Sequence, residues 1–220
     1  MSTAFASVAD GPLGKVAFVL LALLVLVFAA YLLRDKGNPE LTATLQEYAA
    51  QRDYGLWVKP IAGLRCLIPG SNIGDIVKLT GSRNGAAFEV SFGDYSSSAD
   101  GPWEKSTFFH CSPTWLPDKS GITITVGHPR QSRLYSNPEP SLVRHGVHVY
   151  VSPPELVSAF DGPSADKLLE DFARNGFACN GWGKYGKTKP SINISINGWC
   201  TDLAVLDATI DVLTRLCGLR

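Results

Sequence analysis

An unbroken apolar run, Val16 to Leu33, is the feature that most constrains what this chain can fold into. It contains no charged side chain and is bracketed by Lys15 on one side and by Arg34, Asp35 and Lys36 on the other. As a helix rising 1.5 Å per residue it would reach roughly 27 Å, close to the hydrocarbon thickness of a bilayer. The run therefore predicts a transmembrane helix over 16–33 and a single-pass chain held at a membrane, with the lipid bilayer as a partner. A cleaved signal peptide is the competing reading, because Val27, Phe28 and Ala29 supply a small-residue site before Ala30. That alternative gives a secreted or periplasmic protein. Against it stand the nearly uncharged amino-terminal flank, where Asp10 offsets Lys15, and the continuation of the run through Tyr31 and Leu33 to Arg34. The basic residues near the two ends, Lys15 before and Arg34, Lys36 and Arg52 after, place the following domain in the cytoplasm.

The implied organisation is a tail over 1–15, a transmembrane helix over 16–33, a juxtamembrane helix and linker over 34–55, and an α+β domain over 56–220. That last segment is long enough for one core of its own. Twenty basic and 20 acidic side chains cancel, which argues against nucleic acid as a partner. The five cysteines, Cys66, Cys111, Cys179, Cys200 and Cys217, are odd in number and lack zinc-site spacing, so free thiols are expected, with neither metal nor cofactor.

Periodicity sets out the domain. Asn38 and Pro39 can open a short helix whose stripe is Leu41, Leu45, Tyr48 and Ala49, ending near Gly55. Phe88, Val90 and Phe92 then alternate with Glu89, Ser91 and Gly93, and Ile76, Val77 and Leu79 supply a partner strand across a turn at Arg83, Asn84 and Gly85. Further strands are expected at Thr107 to His110, Ile122 to Val126 and Val147 to Val151, with an exposed Pro-rich connection from His128 to Pro140. Ser152 to Glu155 reads as a capping box opening a helix, and Ser164 as the cap of a second helix bearing Leu168, Leu169 and Phe172 and stopped at Gly176. Phe177 to Trp182 and Ile192 to Asn197 follow as two strands. A last helix runs from about Asp202 to Cys217, with Leu206, Ile210 and Leu213 on the stripe that packs on the sheet and Thr209 one step off it. The fold class is α+β, a mainly antiparallel sheet with helices on one face, behind an amino-terminal membrane anchor.

The order of these parts, with the segments LTGSRNGAAFEVSFGDYSSS and VHVYVSPPELVSAF, resembles a group of uncharacterised single-pass bacterial membrane proteins. Gly81, Gly85, Phe88 and Tyr95 match the turn and aromatic pattern of that group, with a Phe-to-Tyr spacing two residues longer. The resemblance implies topology and no activity.

Candidate chemistry is sparse. His145 and His148, if both lie in the strand around Val147, point to opposite faces and cannot share an ion, and the adjacent His110 and Cys111 face the same objection. A Cys179 to Cys200 bridge is disfavoured, since pairing Trp182 with Ser191 sets Cys179 opposite Ile194 and leaves Cys200 roughly 20 Å further along. The basic turn Lys184, Lys187 and Lys189, with Tyr185 inside it, can meet an acidic partner or anionic headgroups, or can be a solvated hairpin tip. Trp182 and Trp199, in the repeated Asn-Gly-Trp of 180–182 and 197–199, can form a flat apolar platform or be core aromatics at strand ends.

Three classes of function follow. The first is a membrane-anchored, non-catalytic interaction or scaffold domain, and it is the one these residues favour. The second is a lipid- or small-ligand-binding sensor with Phe88, Phe92 and Trp182 lining a concave sheet face. The third is a hydrolase built on Cys111 or Cys66 and a histidine.

Overall fold

The computed structural model describes residues 39–58, 74–95, 104–127, 139–184, 186 and 188–219, together with positions 16, 19–26 and 28. Among the described residues no helix is long and apolar enough to cross a membrane. This corrects the expected transmembrane helix, and with it the single-pass topology and the membrane location of the domain. The other positions of 16–33 lie outside the described residues, as do Cys66 and most of the Pro-rich connection.

Alternation of apolar and polar side chains makes strands of nine segments. The helix α1 (Pro39–Arg52) leads into β1 (Gly55–Val58), β2 (Gly74–Arg83), β3 (Ala86–Tyr95), β4 (Glu104–Cys111), β5 (Gly121–Val126), β6 (Leu142–Arg144) and β7 (Val147–Ser152). A 3₁₀ segment, Pro154–Phe160, then precedes α2 (Pro163–Asn175), β8 (Cys179–Trp182), β9 (Ser191–Asn197) and α3 (Leu203–Cys217). The strands form one nine-stranded sheet in the order β1-β2-β3-β4-β9-β8-β5-β7-β6, and every pairing is antiparallel. The α+β expectation with a membrane helix is thus corrected to a sheet-rich domain in which β1 and β6 extend both edges of the sheet.

Two hairpins use the same turn chemistry. Asn84 and Gly85, with φ of 52° and 76°, join β2 to β3, and His145 and Gly146, with φ of 52° and 75°, join β6 to β7. Two consecutive left-handed residues match the right-handed twist of the flanking strands, which is why a two-residue loop closes each hairpin. His145 therefore sits on a turn rather than in the strand around Val147.

The core lies on one side of the sheet. Val77, Leu79, Phe88, Val90, Phe92, Phe109, Ile122, Ile124, Val147, Val149, Ile192 and Ile194 are buried there beneath Leu45 of α1, Leu168, Leu169 and Phe172 of α2, and Leu206, Ile210, Leu213 and Leu216 of α3. The helix starts differ from expectation. Ser152 to Glu155 opens a 3₁₀ turn, with Leu156 N–H donating to the Pro153 carbonyl (3.2 Å), rather than the α-helix expected there. Gly162, not Ser164, occupies the cap position of α2. At α3, Asp202 accepts from the amides of Ala204 (2.8 Å) and Val205 (3.3 Å), offsetting two of the donors a helix start leaves unmet. Thr209, expected off the buried stripe, is fully buried, and its hydroxyl donates to the Val205 carbonyl at 2.7 Å.

Candidate functional site on the helix-free face of the sheet

Because side chains alternate across a strand, burying Phe88, Val90, Phe109, Ile192, Ile194, Cys179, Ile122 and Ile124 on the helix side sends their neighbours to the other face. The register aligns these neighbours in a row. Glu89 of β3 stands opposite His110 of β4, His110 opposite Asn193 of β9, Asn193 opposite Asn180 of β8, and Asn180 opposite Thr123 of β5. Glu89 accepts from the Lys78 ammonium (2.9 Å) and from the Ser91 hydroxyl (3.2 Å) through one oxygen. The Thr123 hydroxyl donates to Asn180 Oδ1 at 3.0 Å.

His110 is held at the centre of the row. Asn193 Nδ2 donates to Ser191 Oγ (2.9 Å), which leaves the Asn193 carbonyl oxygen to face His110 Nδ1 at 2.9 Å. Ser191 Oγ lies 3.0 Å from the same ring nitrogen. An amide oxygen can only accept, so Nδ1 of the neutral ring carries the proton and Nε2 presents a lone pair. Nε2 has no hydrogen-bond partner among the described residues. Two residues along β8 from Asn180, on the same face, Trp182 is 41 % exposed.

The residues singled out in the sequence are dispersed. Trp182 pairs with Ser191 at the start of β9, whereas Trp199 follows the end of that strand, so the two rings are separated by the length of β9. The Trp199 indole N–H donates to the Gly93 carbonyl (3.4 Å), and the Lys105 ammonium stands 4.4 Å over its ring. Lys184 and Lys189 are exposed, and the Lys184 carbonyl accepts from the Lys119 amide at 3.0 Å. Tyr185 and Lys187 lie outside the described residues. Phe88 and Phe92 are core residues on the helix side, so they line no surface with Trp182.

The thiols lie apart from His110. Cys111, Cys179, Cys200 and Cys217 are free and buried, and Cys179 stands opposite Ile194. Burial pushes the Cys179 thiol up to about 12, and burial with the Asp202 charge pushes Cys200 up to about 11. The Cys217 thiol donates to Cys111, which raises Cys217 and lowers Cys111. This pair packs within the core, while the adjacent His110 faces away from it. No group of three or more His, Cys, Asp and Glu side chains able to hold a metal ion occurs among the described residues.

A groove of about 490 Å³ opens on the helix side between the start of α2 and the end of α3, with Asn84, Ser164, Leu168, Arg215 and Leu219 in its lining. The Arg215 guanidinium there is already bound to Asp171 (2.6 Å) and Asp211 (2.8 Å), so the cation belongs to the framework that ties α2 to α3.

Sequence reasoning missed Glu89, His110, Ser191, Asn193 and Asn180 as a group. Each shows as the polar half of an alternating strand, but only the strand order brings them together. Fold and face together define the molecule as a sheet-rich domain with one surface sealed by helices and one carrying an ordered polar row. No known family matches the sequence, and no curated protein matches it. Among solved structures, the chain is similar to the mycobacterial trehalose monomycolate transport factor A, TtfA, with a TM-score of 0.53 and 10% sequence identity. The likeness covers 83% of this chain and 95% of that one, and it is a likeness of fold.

Proposed function

We propose that this chain is a non-catalytic binding domain whose working surface is the helix-free face of its sheet, the face on which none of the described helices packs. The observation that carries the reading is the ring of His110, fixed through Nδ1 by Asn193 and Ser191 so that Nε2 is held in one orientation. Ordering an interacting group in advance reduces what binding must spend on side-chain entropy. Three supports favour binding over covalent chemistry. The Cys111 and Cys217 thiols belong to the opposite side of the sheet, Ser191 is buried with its oxygen already bonded twice, and TtfA, which has the same fold, is described as a transport factor.

The test is site-specific photo-crosslinking in cells that make the full chain. A photoreactive residue at Asn180 should give a discrete adduct, and one at Glu170, exposed on α2, should not. Adducts from Glu170 with none from Asn180 would move the working surface to the helices and refute the reading.

A further inference from the structure

The hydrogen-bonding valences that this face leaves unmet have a pattern, and the pattern selects a ligand chemistry. Lys78 and Ser91 both bind Glu89 through Oε1, and Oε2 has no hydrogen-bond partner among the described residues. In the neutral ring His110 Nε2 is an acceptor, by the tautomer argument above. Asn180 accepts from Thr123 through Oδ1, and its exposed amide nitrogen has no hydrogen-bond partner among the described residues, so it offers a donor pair. In strand order the free valences are therefore acceptor, acceptor and donor, over roughly 14 Å at ~4.8 Å per strand. Phosphate and carboxylate groups only accept, and they would oppose both Glu89 and His110. An ammonium only donates, and it would meet Asn180 wrongly and stand near Lys78. A hydroxyl does both. Beside the donor, the exposed indole of Trp182 offers an apolar ring whose negative face suits the C–H side of a pyranose.

We infer that the ligand of the helix-free face is a neutral carbohydrate, whose hydroxyls bridge Glu89, His110 and Asn180 while one sugar ring stacks on Trp182. The inference rests on the proposed reading of this face as the binding surface.

The experiment is a nitrogen-15 NMR titration of the full chain with maltose, sucrose and trehalose, and separately with inorganic phosphate. At least one sugar should shift the Trp182 indole N–H and the Asn180 side-chain amide saturably, and phosphate should not. Asn180→Asp keeps the shape and the Thr123 bond but replaces the outward donor with an acceptor. It should weaken the sugar about tenfold, the loss of one well-made hydrogen bond, with an unchanged melting temperature. Silence with all three sugars, or saturable shifts with phosphate instead, overturns the carbohydrate inference. If crosslinking from Asn180 still succeeds in that case, the binding face stands and only its ligand is wrong. If that also fails, both fall.

Discussion

Replacing Gly183 with alanine tests how the end of β8 is held. A Cβ there would lie 1.6 Å from the Pro117 carbonyl oxygen and 2.7 Å from Ser120 Oγ, so the turn over Pro117 to Ser120 must move away. That turn is tied to the strand by Gly183 N–H donating to Ser120 O and Lys119 N–H donating to Lys184 O, both at 3.0 Å. Losing two such bonds costs about 0.5–1.5 kcal/mol each, and forcing an atom into a filled space adds about 1–3 kcal/mol. The expected loss is about 2–6 kcal/mol, which for a chain of this size lowers the melting temperature by about 4–24 °C. Gly186→Ala is the control, because its φ is 58° and nothing lies within 4 Å of the added atom. It should cost only about 1 kcal/mol for the left-handed backbone. Urea denaturation followed by fluorescence gives both values, and m should stay constant. A Gly183→Ala protein within about 0.5 kcal/mol of the parent, or one more stable than Gly186→Ala, would refute the close approach of strand and turn.

Two further outcomes are expected. Ile210→Ala, at a fully buried position of α3, should cost about 2–5 kcal/mol in denaturant, whereas Val205→Ala, 38 % exposed on the same helix, should cost under about 1 kcal/mol; equal costs would show that α3 does not pack as described. Burial raises the Asp207 carboxyl, but the bonds from Arg83 and Tyr48 and the charges of Arg83 and Arg52 outweigh it and hold the group below its ordinary value of 3.8. A depressed carboxyl stabilises the fold above its unfolded value and loses that contribution as pH falls through the folded one. The stability gap between the parent and Asp207→Asn should therefore narrow below about pH 4, measured by thermal unfolding across pH, and a gap that widens on acidification would refute the assignment.

The strands that were legible in the sequence are those whose burial differs between faces. Phe88, Val90 and Phe92 alternate with polar partners, and Asn84-Gly85 announces its turn. The register of β8 with β9 followed from the same alternation, since Trp182 meets Ser191 and Cys179 meets Ile194. The strand β1 escaped because Gly55 to Val58 directly follows a helix and is too short to show a period. The strand β6 escaped because three residues beside a Pro-rich connection carry no signal of their own. The apolar run misled because its length was read from hydropathy alone, and among the described residues no helix is long and apolar enough to cross a membrane. The polar row was invisible for a different reason. Glu89, His110, Asn180 and Asn193 come from four strands, and His110 and its partner Asn193 are 83 residues apart.

The strand order also governs assembly. β4 and β5 are consecutive in the chain, yet β9 and β8 stand between them. Every ladder bond joining the two wings of the sheet is thus made by residues 179–197. Until that hairpin is synthesised, β1 to β4 and β5 to β7 form separate sheets. Each then ends in an open edge of unpaired N–H and C=O groups, and the wing of β2 to β4 also lacks α3 as a roof. Closing the gap requires pairing across more than 80 residues, which makes the step slow and exposes the edges meanwhile. The late hairpin is a keystone. A chain interrupted before Cys179 leaves two adhesive half-sheets, each able to take the missing strands from another copy.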